Sequence, residues 1–158
     1  IQKEEVGLPD FSQGKFLFLE DVQDPGNVGT MIRTADAAGF TGVIVSDKSA
    51  DIYSLKTLRS MQGSHFHLPI YRLPLATFVE EAKKSNLPIL ATTLSKESKD
   101  YRELSPLENF ALVMGNEGQG ISSVMAESAD QLVHIGMKGR AESLNVAVAA
   151  GILMFYFS

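Results

Sequence analysis

The feature that most constrains this fold is a series of short, nearly unbroken apolar runs. These are FLFL at 16–19, GVIVS at 42–46, ILATT at 89–93 and FALVM at 110–114. A strand with one wet face would alternate apolar and polar residues, so runs without alternation indicate strands buried on both faces. Such strands are typical of parallel sheets. The sequence therefore predicts a mainly parallel sheet with helices on both sides.

Helical patterns separate these runs, as a parallel sheet requires. We predict helices at 28–38, 53–61, 75–85 and 122–128, a terminal helix capped by Ser143, and two further strands at 66–71 and 132–135. Gly39 is expected to end the first helix. The polar stretch 95–108 is the only plausible linker, and it is too short to separate two domains. We therefore expect one α/β domain across residues 1–158.

Composition and length narrow the class of protein. The apolar stretch 146–157 is shorter than the roughly 20 residues that cross a bilayer, so we expect a buried helix and no membrane partner. The chain has no cysteine and no charged-then-apolar leader, which fits a cytoplasmic protein. Its net charge of −5 argues mildly against a dedicated nucleic-acid-binding surface, although local patches matter more than the total. The start at Ile1 suggests a piece of a longer polypeptide.

Three polar or glycine-rich segments stand near the ends of predicted strands, where open α/β sheets bind ligands. In the first, at 19–40, Asp24 and Pro25 have turn chemistry, and Asn27 stands where the N-cap of the next helix is expected. Arg33 lies farther along this helix, away from its apolar positions and near the mouth of the sheet. A solvated helix arginine explains the spacing equally well.

The second segment, MGNEGQGIS at 114–122, has three glycines directly after a buried strand. Glycines let a backbone approach a ligand closely, although chain reversal alone would explain them equally well. The pattern is neither the dinucleotide-binding fingerprint nor a P-loop. Because Glu117 would repel a phosphate, the segment favours an uncharged or cationic ligand.

The third segment, GRAESLNV at 139–146, puts polar residues in front of the most apolar helix of the chain. If Ser143 caps that helix, Asn145 lies two positions inside it, where asparagine has poor propensity. Small residues follow at Ala147, Ala149, Ala150 and Gly151 and allow another backbone to come close. We expect the polar head to face a site while the apolar body packs against the sheet or a second subunit.

Together, the three segments resemble the ordered motifs of the SpoU (TrmH) family of RNA 2′-O-ribose methyltransferases, in the SPOUT superfamily. The matching residues are Asn27-Val28-Gly29 with Arg33-Thr34-Ala35, Met114-Gly115-Asn116-Glu117-Gly118, and Glu142-Ser143-Leu144-Asn145-Val146. The resemblance covers residues 16–157. It implies a deep C-terminal trefoil knot, a homodimer packed through the terminal helix, and an N-terminal RNA-binding domain outside this sequence.

The resemblance also implies S-adenosylmethionine as the methyl donor. The residues expected to bind it are Leu94, Gly115, Asn116, Gly118, Ile135, Met137, Ser143 and Leu144. The donor is a sulfonium cation without phosphate, which agrees with a glutamate in the second segment. One departure concerns Gly136, in a segment where the family commonly carries proline. Glycine is expected to loosen the pocket there, because proline would fix φ.

The implied reaction is methyl transfer to a ribose 2′-hydroxyl of structured RNA, with ribosomal RNA preferred over transfer RNA. The implied catalytic residues are Arg33, Asn27, Ser143, Asn145 and Glu117. Because arginine stays protonated in proteins, we expect Arg33 to grip an RNA phosphate and stabilise the developing alkoxide rather than act as the base. The residues expected to contact RNA are Arg33, Arg59, Lys138 and Arg140. For Lys56, a solvated surface charge is an equally good explanation.

Two other functions stay open at this point. A catalytically silent, knotted RNA-binding dimer module would keep the fold, although the complete set of motif residues argues against it. A base methyltransferase of the same superfamily would need an acidic base in a differently spaced motif, which the sequence does not contain. No metal is expected, since His65 and His67 have no third ligand at suitable spacing.

Overall fold

The computed structural model describes residues 8–54, 57, 59, 68–139 and 144–158. Its strands are β1 (Lys15–Leu19), β2 (Gly42–Val45), β3 (Ile70–Arg72), β4 (Ile89–Thr92), β5 (Lys99–Asp100), β6 (Phe110–Met114) and β7 (Gln131–His134). Within these ranges they form one seven-stranded sheet in the order β3-β2-β1-β6-β4-β7-β5. Every pairing in it is parallel, which confirms the predicted sheet.

The described α-helices cover both faces of this sheet. They are α1 (Pro25–Ala37), α2 (Leu75–Lys84), α3 (Ser123–Ser128) and α4 (Val146–Phe157). Helices α1 and α4 contribute to one buried apolar cluster, and α2 and α3 contribute to a second one. Strand β1 supplies both, with Leu17 and Leu19 in the first cluster and Phe16 and Phe18 in the second. Because both faces of β1 are buried, its residues do not alternate between apolar and polar, as predicted.

Helix α1 begins earlier than the sequence pattern predicted. Asp24 is its N-cap, and a carboxylate oxygen of Asp24 accepts a hydrogen bond from the N–H of Asn27 at 3.1 Å. Pro25 takes the first helical position, where a missing N–H costs nothing. The prediction that Asn27 caps this helix is therefore wrong, and its side chain is left to contact other segments. The helix ends at Ala37, and Gly39 follows with a φ of 79°, as predicted.

Helix α4 has Asn145 as its N-cap. The side-chain oxygen of Asn145 accepts hydrogen bonds from the N–H groups of Ala147 at 2.8 Å and Val148 at 3.2 Å. The predicted position of Asn145 two residues inside the helix is therefore wrong, because asparagine satisfies free N–H groups better as a cap than it supports a helix interior. Ser143, the predicted cap, lies outside the described residues.

The polar stretch 95–108 contains structure that the sequence pattern missed. Strand β5 lies within it and pairs with β7, and a 3₁₀-helix follows at Tyr101–Glu103. From α4, Tyr156 donates a hydrogen bond to the carbonyl of Leu104, and its ring packs edge-on against Tyr101. The stretch is thus part of the packed fold. A strand of two residues is too short to show any periodicity.

The remaining boundaries differ from the predictions by few residues. Ser122 caps α3 instead of belonging to it, and β7 ends at His134, so that Ile135 lies just beyond the strand. The strand predicted at 66–71 is described only in part, as β3. Of the helix predicted at 53–61, five of nine residues lie outside the described ranges, so its extent is not described. In the part of the chain that the structure describes, no helix has both the length and the apolar character to span a bilayer.

Candidate active site

The carboxyl ends of the central strands surround a cavity of about 650 Å³. Strands β1, β6, β4 and β7 are neighbours, and parallel strands place the segments that follow them at the same edge of the sheet. The predicted donor-binding residues that line the cavity are Leu94, Gly115, Asn116, Gly118, Ile135, Met137 and Leu144. Ser143, the other residue predicted for this role, lies outside the described residues.

The glycine-rich segment after β6 folds back on itself and forms one wall of the cavity. Asn116 and Gly120 exchange backbone hydrogen bonds of 3.1 and 2.8 Å. The side-chain oxygen of Asn116 accepts from the N–H groups of Gly118 at 2.9 Å and Gln119 at 3.0 Å. A Cβ on Gly115 would lie 2.3 Å from the carbonyl carbon of Gly120. Only glycine fits at 115, because the neighbouring atoms belong to the backbone.

A chain of hydrogen bonds joins the three polar segments. The carboxylate of Glu117 accepts from the side-chain amide of Asn27 at 3.4 Å, and the amide oxygen of Asn27 accepts from the amide nitrogen of Asn145 at 3.2 Å. Glu117 also accepts from the backbone N–H groups of Gln23 at 3.2 Å and Asp24 at 2.8 Å. Asn27 therefore contacts one predicted residue from each of the other two motifs directly.

The donors around Glu117 favour its ionised form. Partial burial raises its pKa, but hydrogen bonds from the N–H groups of Asp24 and Gln23 and from the Asn27 amide outweigh burial, so that the pKa of Glu117 lies below its ordinary value of 4.5. The cavity therefore has a fixed negative charge in its wall. This charge attracts a cationic ligand and repels a phosphate.

Residues that the sequence patterns did not single out hold the first segment in place. Asp21 has a φ of 54°, which side-chain-bearing residues rarely adopt. Its N–H donates to Ser46 Oγ at 2.7 Å, and its carbonyl accepts from the side-chain amide of Asn116 at 2.8 Å. The buried carboxylate of Glu20 accepts from the N–H of Ser122 at 2.9 Å. The only signal in the sequence was an acidic pair directly after a buried strand.

Comparison with known proteins identifies the family. The model of the SpoU rRNA Methylase family matches residues 14–155. The chain belongs to this family. It is 48% identical over 142 residues to the 23S rRNA (guanosine(2553)-2′-O)-methyltransferase RlmP of Bacillus subtilis (strain 168), covering 90% of this chain and 57% of that protein. It is 35% identical over 141 residues to the putative TrmH family tRNA/rRNA methyltransferase YacO of the same organism, covering 89% and 56%.

A solved structure agrees with these sequence relatives. The AdoMet-bound rRNA methyltransferase from Sinorhizobium meliloti superposes with a TM-score of 0.84 and 40% identity, covering 90% of this chain and 54% of that one. The family resemblance predicted from three motifs is therefore confirmed. This chain spans a little over half the length of these relatives.

Arg33, the cation expected at the centre of the site in this SpoU-family chain, does not line the cavity. It is half-buried on α1, and none of the hydrogen bonds or ion pairs among the described residues involves its guanidinium. Of the other predicted RNA-binding residues, Lys138 is exposed next to the cavity-lining Met137, and Arg59 is exposed. Four further residues named above lie outside the described ranges: Arg140, Lys56, His65 and His67.

The turn at Gly136 differs from the expectation that glycine would loosen it. The N–H of Gly136 donates to the carboxylate of Asp100 at 3.0 Å. A Cβ at this position would lie 2.4 Å from the same carboxylate oxygen. The turn is therefore held from outside by a side chain, a contact that no local sequence pattern reveals.

Proposed function

We propose that this chain is the methyl-transfer domain of an S-adenosylmethionine-dependent RNA 2′-O-ribose methyltransferase that acts on ribosomal RNA. The observation that carries the proposal is that Asn27 forms hydrogen bonds with both Glu117 and Asn145 beside the cavity. Family membership and the 48% identity to an rRNA 2′-O-methyltransferase support the same reaction. A cytoplasmic location and an N-terminal RNA-binding domain in the full protein belong to the proposal. The net charge of −5 in this chain favours such a second RNA contact.

The cavity suits the methyl donor, which supplies the transferable methyl group from a sulfonium cation. Ile135, Met137 and Leu144 give it apolar walls, and the glycine-rich segment adds backbone polar groups. An apolar pocket with few converging polar groups is typical of cofactor sites. We assign the adenine to backbone groups of Gly115, Ile135 and Leu144. The ionised Glu117 favours the positive charge of the donor and disfavours a nucleotide phosphate.

We assign Asn27 the role of orienting the ribose or Arg33. Its amide is fixed on one side by Glu117 and on the other by Asn145. A side chain held in this way keeps one orientation, and alignment of the reacting groups can supply several kcal/mol of a barrier. Ser143 and Asn145 complete the proposed catalytic set, together with Arg33.

Arg33 would act on the RNA side of the reaction. Its guanidinium can bind a phosphate in bidentate fashion and stabilise the developing 2′-alkoxide. Because Arg33 does not line the cavity of its own chain, we propose that it serves the cavity of a second protomer. Lys138, Arg59 and Arg140 are proposed to contact the RNA backbone around it.

The proposed homodimer and knot both involve α4. Val148, Ile152 and Phe155 are 51%, 36% and 55% exposed and recur on one side of the helix. A row of exposed apolar side chains is typical of a subunit interface, and we place the dimer contact there. The C-terminal trefoil knot is proposed from membership of the SpoU family. Tyr156 in α4 contacts Leu104, in the connection between β5 and β6.

Titration with S-adenosylmethionine and mass spectrometry of nucleosides from reacted ribosomal RNA test the function directly. We expect donor binding and a nucleoside methylated on the ribose. A protein that binds RNA without binding the donor would be the silent dimer module. A methylated base would indicate a base methyltransferase. Either result would refute the proposal.

Arg33→Lys tests the role of the guanidinium. Lysine keeps the charge but loses the planar fork that matches a phosphate. We expect turnover to fall by roughly tenfold or more, as for the loss of one hydrogen bond between charged groups. Lys84→Gln, on the exposed surface of α2, removes a charge elsewhere and serves as the control. Near-normal turnover of Arg33→Lys would exclude bidentate recognition.

A further inference from the structure

The edge strand β5 lies next to the cavity but has no part in the reaction proposed above. It pairs with β7 so that Asp100 stands opposite His134, directly before the cavity-lining turn 135–137. Ser98, directly before β5, also contacts β7, because Ser98 Oγ and His134 Nδ1 lie 2.8 Å apart. Asp100 does not line the cavity itself. It is therefore placed to act on the turn without touching a ligand.

The Asp100 carboxylate joins this turn to a guanidinium. Its Oδ2 accepts from the N–H of Gly136 at 3.0 Å and from Nη2 of Arg102 at 2.9 Å, and its Oδ1 accepts from Nε of Arg102 at 2.9 Å. The hydrogen bonds from Arg102 hold the pKa of Asp100 far below its usual range. Only 16% of the Asp100 side chain is exposed, against 50% for Arg102. The N–H of Gly136 therefore meets a carboxylate, which forms stronger hydrogen bonds than a neutral acceptor.

Glycine at 136 is explained by this carboxylate. A Cβ there would lie 2.4 Å from Oδ2 of Asp100. The φ of Gly136 is not in the left-handed region, so its backbone conformation does not require glycine. Proline would also remove the N–H that the carboxylate binds. The turn is thus built around its contact with Asp100.

We propose that Asp100 is a positioning residue for the methyl donor. Through the N–H of Gly136, Asp100 holds the turn 135–137 in the conformation that binds the donor. This inference rests on the proposed function, which assigns the donor to the adjacent cavity. A turn that is ordered before binding loses little conformational freedom when the ligand enters, so the affinity is higher. Without Asp100, the ligand would have to order the turn itself.

Isothermal titration calorimetry with S-adenosylhomocysteine, the demethylated product, measures this contribution without any reaction. Asp100→Ala should raise the Kd roughly tenfold, as for one lost charge-assisted hydrogen bond. Asp100→Asn should raise it about threefold, because its carboxamide oxygen can still accept from Gly136. The KM for the donor should rise by the same factors, while kcat and the KM for RNA change less than about twofold. Glu103→Ala, an exposed acidic residue on the adjacent 3₁₀-helix, is the matched control and should leave all these values unchanged.

A second substitution separates positioning from a general loss of stability. Gly136→Ala forces a methyl group against the Asp100 carboxylate and should weaken binding of S-adenosylhomocysteine. In the Asp100→Ala background the methyl group has room, so Gly136→Ala should cost little more. The double-mutant cycle therefore predicts clear non-additivity between the two positions.

The outcomes distinguish this inference from the function on which it rests. If both Asp100 variants have the Tm of the unchanged protein and the same Kd for S-adenosylhomocysteine as the unchanged protein, Asp100 does not position the donor. Additive effects at Asp100 and Gly136 would overturn the inference as well. If Asp100→Ala does not fold, the titration of Asp100→Asn decides, and an unchanged Kd in that variant would overturn the inference. If the unchanged protein does not bind S-adenosylhomocysteine, the proposed function fails instead.

Discussion

The closure of the glycine-rich segment at Gly115 offers a direct test of the site. In Gly115→Ala, the new Cβ would lie 2.3 Å from the carbonyl carbon of Gly120 and 2.4 Å from the nitrogen of Ile121. Non-bonded carbon atoms are normally about 3.5–4.0 Å apart, so the overlap is more than about 1 Å. Both neighbouring atoms belong to the backbone. The clash can therefore be relieved only if the segment moves.

The expected cost follows from this overlap. Overpacking of a well-packed site costs about 1–3 kcal/mol, and the upper end applies here because no side-chain rotation relieves the clash. For a domain of this size, about 3 kcal/mol lowers the Tm by roughly 6–12 °C. Because the displaced segment is a wall of the cavity, the Kd for S-adenosylhomocysteine should rise roughly tenfold or more.

Differential scanning calorimetry and isothermal titration calorimetry measure the two effects. Gly118→Ala is the stability control, since its added Cβ would have no neighbour closer than 3.6 Å. Its free energy of unfolding should change by less than about 0.5 kcal/mol. Gly139→Ala, which meets nothing within 4 Å, is the control for ligand binding. A Gly115→Ala protein that melts like Gly118→Ala and binds like Gly139→Ala would refute the closed geometry of the segment.

Three further predictions concern the residues around this segment. Asn145→Ala should lower the free energy of unfolding by about 1 kcal/mol through loss of the α4 cap, whereas Asn145→Asp should keep the cap and lose only the contact with Asn27. Denaturant unfolding and methyl-transfer rates measure the two effects, and equal stability of the two variants would contradict the prediction. The pKa of Glu117 is lowered by folding, so its contribution to stability is complete above the ordinary pKa of 4.5 and is lost as the pH falls through the lower folded value. Glu117→Gln should therefore flatten the pH dependence of the free energy of unfolding below about pH 5, and an unchanged curve would exclude this role. Ile152→Asp should convert a dimer into a monomer in light scattering, and a dimer that persists would move the interface away from this face of α4.

The sheet was predictable because a central strand is buried on both faces, so that consecutive residues in it are apolar. In β1, Phe16, Leu17, Phe18 and Leu19 are all buried, so four consecutive positions carry the signal. Strand β5 carries no such signal. Its two residues, Lys99 and Asp100, are polar and pair only with the edge of β7. Their position depends on contacts with residues more than thirty positions away along the chain, which a local pattern cannot contain.

The candidate site was predictable as a set of residues but not as a geometry. Asn27 was predicted to cap α1 and Asp24 to form a turn, but helix-cap preferences do not separate aspartate from asparagine. Pro25 decides between them, because proline is well suited to the first helical position and Asp24 directly precedes it. With Asp24 as the cap, the side chain of Asn27 is free to contact Glu117.

The same reasoning explains why polar residues stand at the entrance of the most apolar helix. Asn145 uses its oxygen to cap α4 and its nitrogen to contact Asn27. A serine or threonine in its place could cap the helix, but its single hydroxyl could not also reach across to Asn27 in this geometry. The apolar body of α4, with Ala150 and Leu153 fully buried, holds this end of the helix against the core. Capping and the contact between motifs thus depend on one side chain, so Asn145→Ala is expected to affect stability and reaction together, whereas Asn145→Asp should affect mainly the reaction.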